Sequence, residues 1–158
     1  MFIQGTSYNK PMSFYEKLVY LRTNPIFGRL AYFWLKLLGV EIPLSVKIGK
    51  GFLLHHGGMG VVMHPASTLG ANVSIYPGVT LGRADVYREA KHSKFQRIVV
   101  EDDVILGSGA KVLCGEGTLT IGKGTMLGAN AVLLKSTGEY EIWAGVPAKK
   151  VGLRTEEK

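Results

Sequence analysis

The sequence predicts an all-β solenoid, a chain wound into a parallel β-helix of short repeats. An apolar residue, here called an anchor residue, recurs every six positions in four runs: Ile42, Ile48 and Leu54; Met63, Leu69, Ile75 and Leu81; Val100, Leu106 and Val112; and Ile121, Leu127 and Leu133. A helix needs apolar spacings of three and four, and a half-buried strand needs a spacing of two, so a step of six fits neither. A short fixed period is the signature of a repeat architecture.

Each six-residue repeat has the pattern of one short strand followed by a corner. The residue two positions before the anchor is usually small or β-branched, as at Val46, Val73 and Val104. Residues two apart on a strand point to the same face, so both are expected to point inward. Glycine follows many anchors, as at Gly49 and Gly107, and we expect it to supply the backbone angles of tight corners. Three such sides make a triangular coil, and stacked coils bury a continuous aliphatic column.

Two short helices are predicted ahead of the repeats. Ser13 and Glu16 have the spacing of a capping box, which starts a helix that reaches about residue 22. Pro25 ends this helix, and a second one follows over residues 26–38.

The chain is therefore expected to consist of an N-terminal helical segment, residues 1–39, and a β-helix domain with a basic C-terminal tail, residues 40–158. The first 12 residues are expected to form a loose arm. We expect the helices to cap the open end of the solenoid, which otherwise exposes strand edges. The alternative is that the second helix, which carries Arg29 and Lys36 among apolar residues, binds a lipid monolayer.

The composition favours one cytoplasmic protein with a net charge of +7 over its 158 residues. We see no signal peptide and no apolar stretch long enough to span a bilayer. The one cysteine, Cys114, excludes an internal disulfide and fits a reducing compartment. Because no nucleic-acid motif accompanies the charge, it favours a phosphorylated ligand or peripheral contact with the inner face of a membrane over nucleic acid.

Apolar residues also recur at positions predicted to point outward: Leu53, Val62, Val99, Ile105, Met126 and Val132. Single exposed apolar residues mean little, but on a solenoid wall such neighbours stack. We therefore expect an oligomer face and a closed threefold arrangement, a homotrimer.

The histidines are the main candidates for chemistry. His55 and His56 stand together before Gly57, at a break in the six-residue step, and residues inserted into a solenoid line one face. An imidazole titrates near neutrality, which suits a general base. The alternative is that His56 is a corner residue bonded to a carbonyl.

The remaining candidates are weaker. His92 lies in a polar loop, residues 83–97, that is predicted to leave the solenoid; such loops often carry function, although a solvated histidine is the commoner case. His64 is interpreted as a surface corner residue. Cys114 has no histidine near it in sequence, so no thiol nucleophile is expected. No phosphate-binding or dinucleotide-binding fingerprint and no metal site is identified.

Five segments together resemble a known family: IGKGFLLHHGG (48–58), NVSIYPGVTLG (72–82), VILGSGAKVL (104–113), IGKGTMLGANAVLLK (121–135) and AGVPAKKV (144–151). They are similar to the hexapeptide-repeat acyltransferases, and specifically to the serine-acetyltransferase-like branch. The resemblance implies a left-handed β-helix, a homotrimer with active sites between neighbouring subunits, and acetyl transfer from acetyl-CoA to a hydroxyl.

The resemblance also implies roles for single residues. The basic histidine of the family falls on His56. Serine acetyltransferases place an aspartate before it, which helps to hold the amino acid; here that residue is His55, which we assign to the acceptor substrate. The second histidine of the family, at the end of the extruded loop, aligns with Arg97, and His92 lies five residues earlier. His92 is the catalytic candidate that a flexible loop would deliver.

The family binds coenzyme A through backbone groups of adjacent coils, and the matching positions fall near Arg83, Ser108 and Ala129. Lys149 or Lys150, after the turn that closes the groove, is then placed to meet the nucleotide phosphates. The resemblance therefore implies that Arg83, Ser108, Ala129 and Lys149 bind the cofactor.

With only about forty residues before the repeats, the chain looks most similar to the short colanic acid and capsule O-acetyltransferases. We therefore expect an acetyl-CoA-dependent O-acetyltransferase acting on a sugar hydroxyl in polysaccharide biosynthesis, by direct transfer with a histidine base. The alternative is a serine O-acetyltransferase of cysteine biosynthesis. A β-helix carbonic anhydrase would need paired histidines that are absent here, and a non-enzymatic scaffold would need neither the double histidine nor the AGVPAKKV tail.

Overall fold

The computed structural model describes residues 11–155 and shows two short helices followed by a three-sided solenoid. Helix α1 spans Phe14–Leu21 and helix α2 spans Gly28–Leu37. Both predicted helices are thus confirmed, the second beginning two residues later than expected. The capping box is also confirmed, because Ser13 Oγ accepts from the Glu16 amide and the Glu16 carboxylate accepts from the Ser13 amide.

Within the described residues, twelve short strands form four coils of three, and two more close the end. The first two coils contain β1 (Lys47–Ile48), β2 (Leu53–Leu54), β3 (Val62–Met63), β4 (Ser67–Leu69), β5 (Ser74–Ile75) and β6 (Thr80–Arg83). The next two contain β7 (Lys94–Val100), β8 (Ile105–Leu106), β9 (Lys111–Cys114), β10 (Glu116–Ile121), β11 (Met126–Leu127) and β12 (Val132–Leu133). The closing strands are β13 (Glu141–Ala144) and β14 (Lys149–Leu153).

Corresponding strands of successive coils pair in parallel and form three sheets, one for each side of the solenoid. Sheet 1 contains β1, β4, β7 and β10; sheet 2 contains β2, β5, β8 and β11, continued by β13 and the antiparallel β14; sheet 3 contains β3, β6, β9 and β12. The chain visits sheets 1, 2 and 3 in turn, which confirms the predicted parallel β-helix.

The residues predicted to point inward form the core. All anchor residues are buried except Ile48, which is partly buried and packs against the others. The same core includes Val19 of α1 and Leu35 of α2. The helices are thus packed on the solenoid, while the division of the chain at residue 39 into two segments stays a prediction.

Most glycines that follow the anchors permit close stacking of coils, and none of them has a positive φ, so our prediction that they supply unusual corner angles is wrong. A Cβ atom on Gly49 would lie 2.6 Å from backbone atoms of Gly70 in the next coil, and the φ angle of Gly49 is not positive. Left-handed angles occur two residues later, with φ of 73° at Gly51, 57° at Asn72 and 60° at Asp103. Glycine, asparagine and aspartate tolerate that conformation best.

Helix α1 closes the first coil through polar side chains, as the end cap predicts. Tyr20 Oη donates to the Gly49 carbonyl at 2.7 Å. The buried guanidinium of Arg22 donates to the carbonyls of Val19 and Val46. Burial lowers the pKa of Arg22 to about 10, so this side chain stays charged at neutral pH. These bonds give donors to a carbonyl of α1 and to two carbonyls of the first coil, as backbone groups away from water require.

The predicted arm, residues 1–12, lies outside the described residues apart from Pro11 and Met12. Between residues 11 and 155, no helix combines the length and the apolar character that crossing a membrane requires.

The substitutions Gly49→Ala and Gly82→Ala test the stacking explanation. The new Cβ at position 49 would meet backbone, whereas at Gly82 the nearest atom is a Leu113 side-chain carbon at 3.6 Å, an ordinary contact. We expect Gly49→Ala to lower the free energy of unfolding by about 1–3 kcal/mol and Gly82→Ala to change it by less than about 1 kcal/mol. Urea unfolding followed by circular dichroism measures both, and equal effects would contradict the explanation.

Candidate active site

The corners that follow sheet 2 line up along one edge of the solenoid, here called the His56 edge. Backbone hydrogen bonds join these corners from coil to coil: Gly78 to Met59, Gly109 to Pro77, and Asn130 to Ser108. The edge carries His56 in the first coil, Pro77 in the second, Ser108 in the third and Ala129 in the fourth. Three of the predicted site residues, His56, Ser108 and Ala129, therefore share one edge.

His56 occupies the inserted turn His55–Gly58 and its side chain is exposed. The backbone is left-handed at His56, with φ of 51°, and at Gly57, with φ of 73°. A non-glycine residue in this conformation is uncommon and marks a site of interest. The turn thus leaves the regular coil and presents the imidazole to the outside of the solenoid.

Helix α1 supports this turn from behind. A Cβ on Gly57 would meet the ring of Tyr15 at 2.7 Å, so only glycine leaves room for that ring. The buried carboxylate of Glu16 accepts a hydrogen bond from the Leu54 amide at 3.0 Å, while its other oxygen caps α1. The strand end that precedes the double histidine is therefore fixed to the helix.

His55 lies flat on Tyr76 of the next coil. Their ring centroids are 4.1 Å apart and the planes differ by 8°, while the ring of His56 is 6.4 Å from that of Tyr76 and tilted by 52°. Tyr76 is not among the predicted site residues, although the repeat contains the signal: His55 and Tyr76 each directly follow an anchor residue. The predicted acceptor residue His55 is thus part of an aromatic pair beside His56.

Arg83 lies at a different edge, at the corners that follow sheet 3, here called the loop edge. Its Nε is 3.1 Å from Asp85 Oδ1, and its Nη2 donates to the carbonyls of Asp85 and Arg88. Ser93 Oγ donates to Asp85 Oδ2 at 2.7 Å. This hydrogen bond is the main reason that the pKa of Asp85 is lowered, and the charge of Arg83 acts in the same direction. Asp85 therefore ties the two ends of the loop together.

The loop edge also carries His92, which is exposed in the short turn Ala90–His92. A single chain therefore does not bring His92 to His56, and it does not place Arg83 in one groove with Ser108. Both assignments stay predictions that need a second chain.

His64 also belongs to the loop edge, where it has a structural role. Its Nδ1 accepts from the Ala66 amide at 3.1 Å, and its ring meets Phe95 edge to face, with centroids 4.7 Å apart. Burial, followed by the positive charge of Arg83, lowers the pKa of His64. Across residues 11–155, no three histidine, cysteine, aspartate or glutamate side chains converge as metal ligands.

A cavity of about 530 Å³ lies between the loop and the neighbouring corners of the loop edge. Its lining includes Arg88, Glu116, Lys135 and the buried thiol of Cys114. Burial raises the pKa of Cys114, which is opposite to what a thiolate nucleophile requires.

The C-terminal end distinguishes the two candidate lysines. Strand β14 places Lys149 opposite Ala144 at the end of β13. Lys150 Nζ donates to Glu141 at 2.8 Å, and Trp143 Nε1 donates to the same carboxylate at 2.8 Å. These hydrogen bonds, that of Lys150 first, lower the pKa of Glu141. Because Lys150 is held by Glu141, the exposed Lys149 is the lysine presented at the C-terminal end of the His56 edge.

No model of a known protein family matches the chain. The serine acetyltransferase of Bacillus pumilus (strain SAFR-032) is 34% identical over 139 residues, which are 88% of this chain and 58% of the relative. The serine acetyltransferase of Brucella abortus strain S19, solved with coenzyme A, matches with a TM-score of 0.69 and 26% identity over 89% of this chain and 54% of the other. The serine acetyltransferase of Neisseria gonorrhoeae, solved with serine, matches with a TM-score of 0.68 and 29% identity, and the match covers 85% of this chain and 54% of the other.

The chain thus spans about half the length of the serine acetyltransferases that it matches. The likeness confirms the left-handed β-helix that the sequence resemblance implies. The resemblance to short colanic acid and capsule O-acetyltransferases stays a prediction.

The substitution His64→Asn tests the structural role of His64 through pH. A histidine whose pKa is lowered by folding takes up its proton at lower pH than in the unfolded chain. The contribution of His64 to the free energy of unfolding is therefore present above about pH 6.5 and is lost as the pH falls. Asparagine still offers an oxygen to the Ala66 amide but does not titrate.

We expect the native chain to lose more stability between about pH 7.5 and pH 5.5 than the His64→Asn variant does. Urea unfolding at both pH values measures the difference, because all other titrating groups are common to the two proteins. Identical losses would contradict the shift at His64.

Proposed function

We propose that the chain is a hexapeptide-repeat O-acetyltransferase that transfers the acetyl group of acetyl-CoA to a hydroxyl of a small acceptor, as its similarity to serine acetyltransferases supports. The His56 edge carries this proposal, because it presents an exposed imidazole in line with Ser108 and Ala129. A related serine acetyltransferase solved with coenzyme A supports acetyl-CoA as the donor.

His56 acts as the general base in the proposed reaction. Its imidazole takes the proton of the acceptor hydroxyl while the hydroxyl oxygen attacks the thioester carbonyl. The tetrahedral oxyanion is stabilised by a backbone amide. When it collapses, the C–S bond breaks and the imidazolium returns its proton to the thiolate of coenzyme A. No acyl-enzyme forms, and the one thiol of the chain, on Cys114, is buried.

The order of residues along the His56 edge matches the order of groups in acetyl-CoA. The thioester lies near His56, and the pantetheine arm passes Ser108 and Ala129, where a larger side chain would block it. The nucleotide phosphates then reach the C-terminal end, where Lys149 is exposed. Coils stack at about 4.8 Å per strand, so the first and fourth coils lie about 14 Å apart, a distance that an extended arm covers.

A homotrimer completes the site in this proposal. His56 and His92 lie at different edges of one chain, so a neighbouring subunit must supply the loop that faces His56. The outer side of sheet 2 supplies a candidate contact surface, because Leu53, Ile105 and Met126 lie in register in three of its strands, with Ile142 following in β13. Arg83 of that loop then also comes close to the donor groove.

L-serine is the acceptor that the comparisons support best, in place of the sugar hydroxyl that we expected from the sequence. The matching relatives are serine acetyltransferases, and one of the matching structures was solved with serine. Serine carries the primary hydroxyl that the mechanism needs.

A sugar hydroxyl is the second candidate, and His55 favours it. The resemblance places an aspartate here in serine acetyltransferases, whereas His55 offers no carboxylate to the ammonium group of an amino acid. Its stacking on Tyr76 gives the edge an aromatic surface instead, and aromatic rings supply apolar contact area with a polar rim.

The variant His56→Asn tests the base. Asparagine tolerates the left-handed backbone of this position, so the fold should be retained while the proton acceptor is lost. We expect turnover to fall by about 10²–10⁴-fold, with an unchanged thermal midpoint. Release of free thiol from acetyl-CoA measures the rate, and a variant that keeps the native rate would exclude His56 as the base. His92→Asn serves as the comparison: a small effect would mark His92 as a residue of the loop only.

The same thiol-release assay decides the acceptor when acetyl-CoA is combined with L-serine or with neutral hexoses. We expect release with L-serine. The variant His55→Asp restores a carboxylate beside the base, and we expect it to lower KM for serine with little change for hexoses. Release with hexoses and not with serine would support the second candidate, and release with neither would contradict both acceptors.

A further inference from the structure

Helix α2 is apolar on two opposite sides. Its inner side, with Ala31 and Leu35, is buried against the core. Its outer side and the turn before it carry large apolar side chains that are about half exposed or more: Ile26 78%, Phe27 55%, Leu30 57%, Phe33 56%, Trp34 48% and Leu37 61%. We call these six side chains the outer α2 face. A contiguous exposed patch of this kind marks an interaction surface.

The charged side chains of α2 itself are all basic. The polar strip of α2 carries Arg29 and Lys36, and the helix has no acidic residue. In the helical segment that the structure describes, the acidic residue Glu16 is buried and bonded within the cap. Just after the helix, Glu41 lies 3.5 Å from Lys36, which leaves Arg29 as the basic residue farther from an acid. An apolar face with aromatic side chains beside a basic strip is the pattern of a helix that lies in a lipid headgroup region.

A second copy of the chain fits this surface less well. A twofold contact places the same patch against itself. The basic side chains Arg29 and Lys36 of one copy would then lie near those of the other copy. Like charges brought together across an interface cost free energy. An anionic lipid surface instead supplies the opposite charge and buries the apolar side chains.

We propose that the outer α2 face docks on an anionic lipid surface, with α2 lying in the plane of the headgroups. In a closed trimer, three copies of this face lie at the same end of the solenoid, where α1 closes the first coil, and they dock together. Docking does not require acetyl transfer, so vesicle binding and thiol release can be measured independently of each other.

Cosedimentation of the full chain with vesicles tests the proposal. We expect binding to vesicles of phosphatidylcholine mixed with phosphatidylglycerol, and weaker binding to phosphatidylcholine alone. Arg29→Gln should weaken binding to the anionic vesicles by about fivefold, and the double variant Leu30→Asp with Phe33→Asp should abolish it. The double variant Val151→Asp with Leu153→Asp is the matched control, because it places the same two charges on exposed apolar residues of β14, which are 64% and 60% exposed. It should bind like the native chain.

Tryptophan emission gives a second readout that does not depend on the folding of the double variant. Trp34 is 48% exposed and Trp143 only 6%, so a blue shift on adding vesicles, and quenching by brominated lipid, should come from Trp34 and disappear in Trp34→Phe. No binding to anionic vesicles would overturn the proposal. A Leu30→Asp, Phe33→Asp variant that keeps its fold and still binds vesicles would also overturn it. If that variant changes only the oligomeric state, the outer α2 face belongs to a contact with a second copy.

Discussion

The register between successive coils is the constraint on which the rest of the structure depends. Leu54, Ile75, Leu106 and Leu127 are direct partners in neighbouring strands of sheet 2. A slip of one residue would turn these aliphatic side chains outward, so the core fixes the register. Residues at the same distance from their anchors then fall on one line, and His56 therefore shares an edge with Ala129, although they are far apart in sequence.

This constraint explains how much of the molecule could be predicted. The six-residue step identifies the solenoid, its inward residues and the loop after β6, and the capping signals identify both helices. The same step also places His56, Ser108 and Ala129 together, because each lies two residues after an anchor of sheet 2. The same step also predicts that Tyr76 lies beside His55, since Tyr76 occupies in the second coil the position that His55 occupies in the first.

Other features depend on contacts that no repeat encodes. Glycine after an anchor indicates a special position, but only the 2.6 Å approach between Gly49 and Gly70 distinguishes a steric reason from a conformational one. The closing of the loop by Asp85 and Ser93 depends on side chains that pair across a non-repeating segment. The contact between Glu16 and the Leu54 amide joins the helical cap to the solenoid. The family likeness groups Arg83 with Ser108, but it does not tell which edge of a three-sided solenoid a residue occupies.

The separation of the two edges has a consequence for specificity. Glu16 bonds the strand end before the turn of His56, and Tyr15 packs against the turn; the base of the loop is closed through the buried carboxylate of Asp85. The two elements follow different sheets of one chain. In the proposed trimer, the space beside the base is then bounded on one side by one chain and on the other by its neighbour. In that arrangement, the way the subunits pack would limit the size of the acceptor.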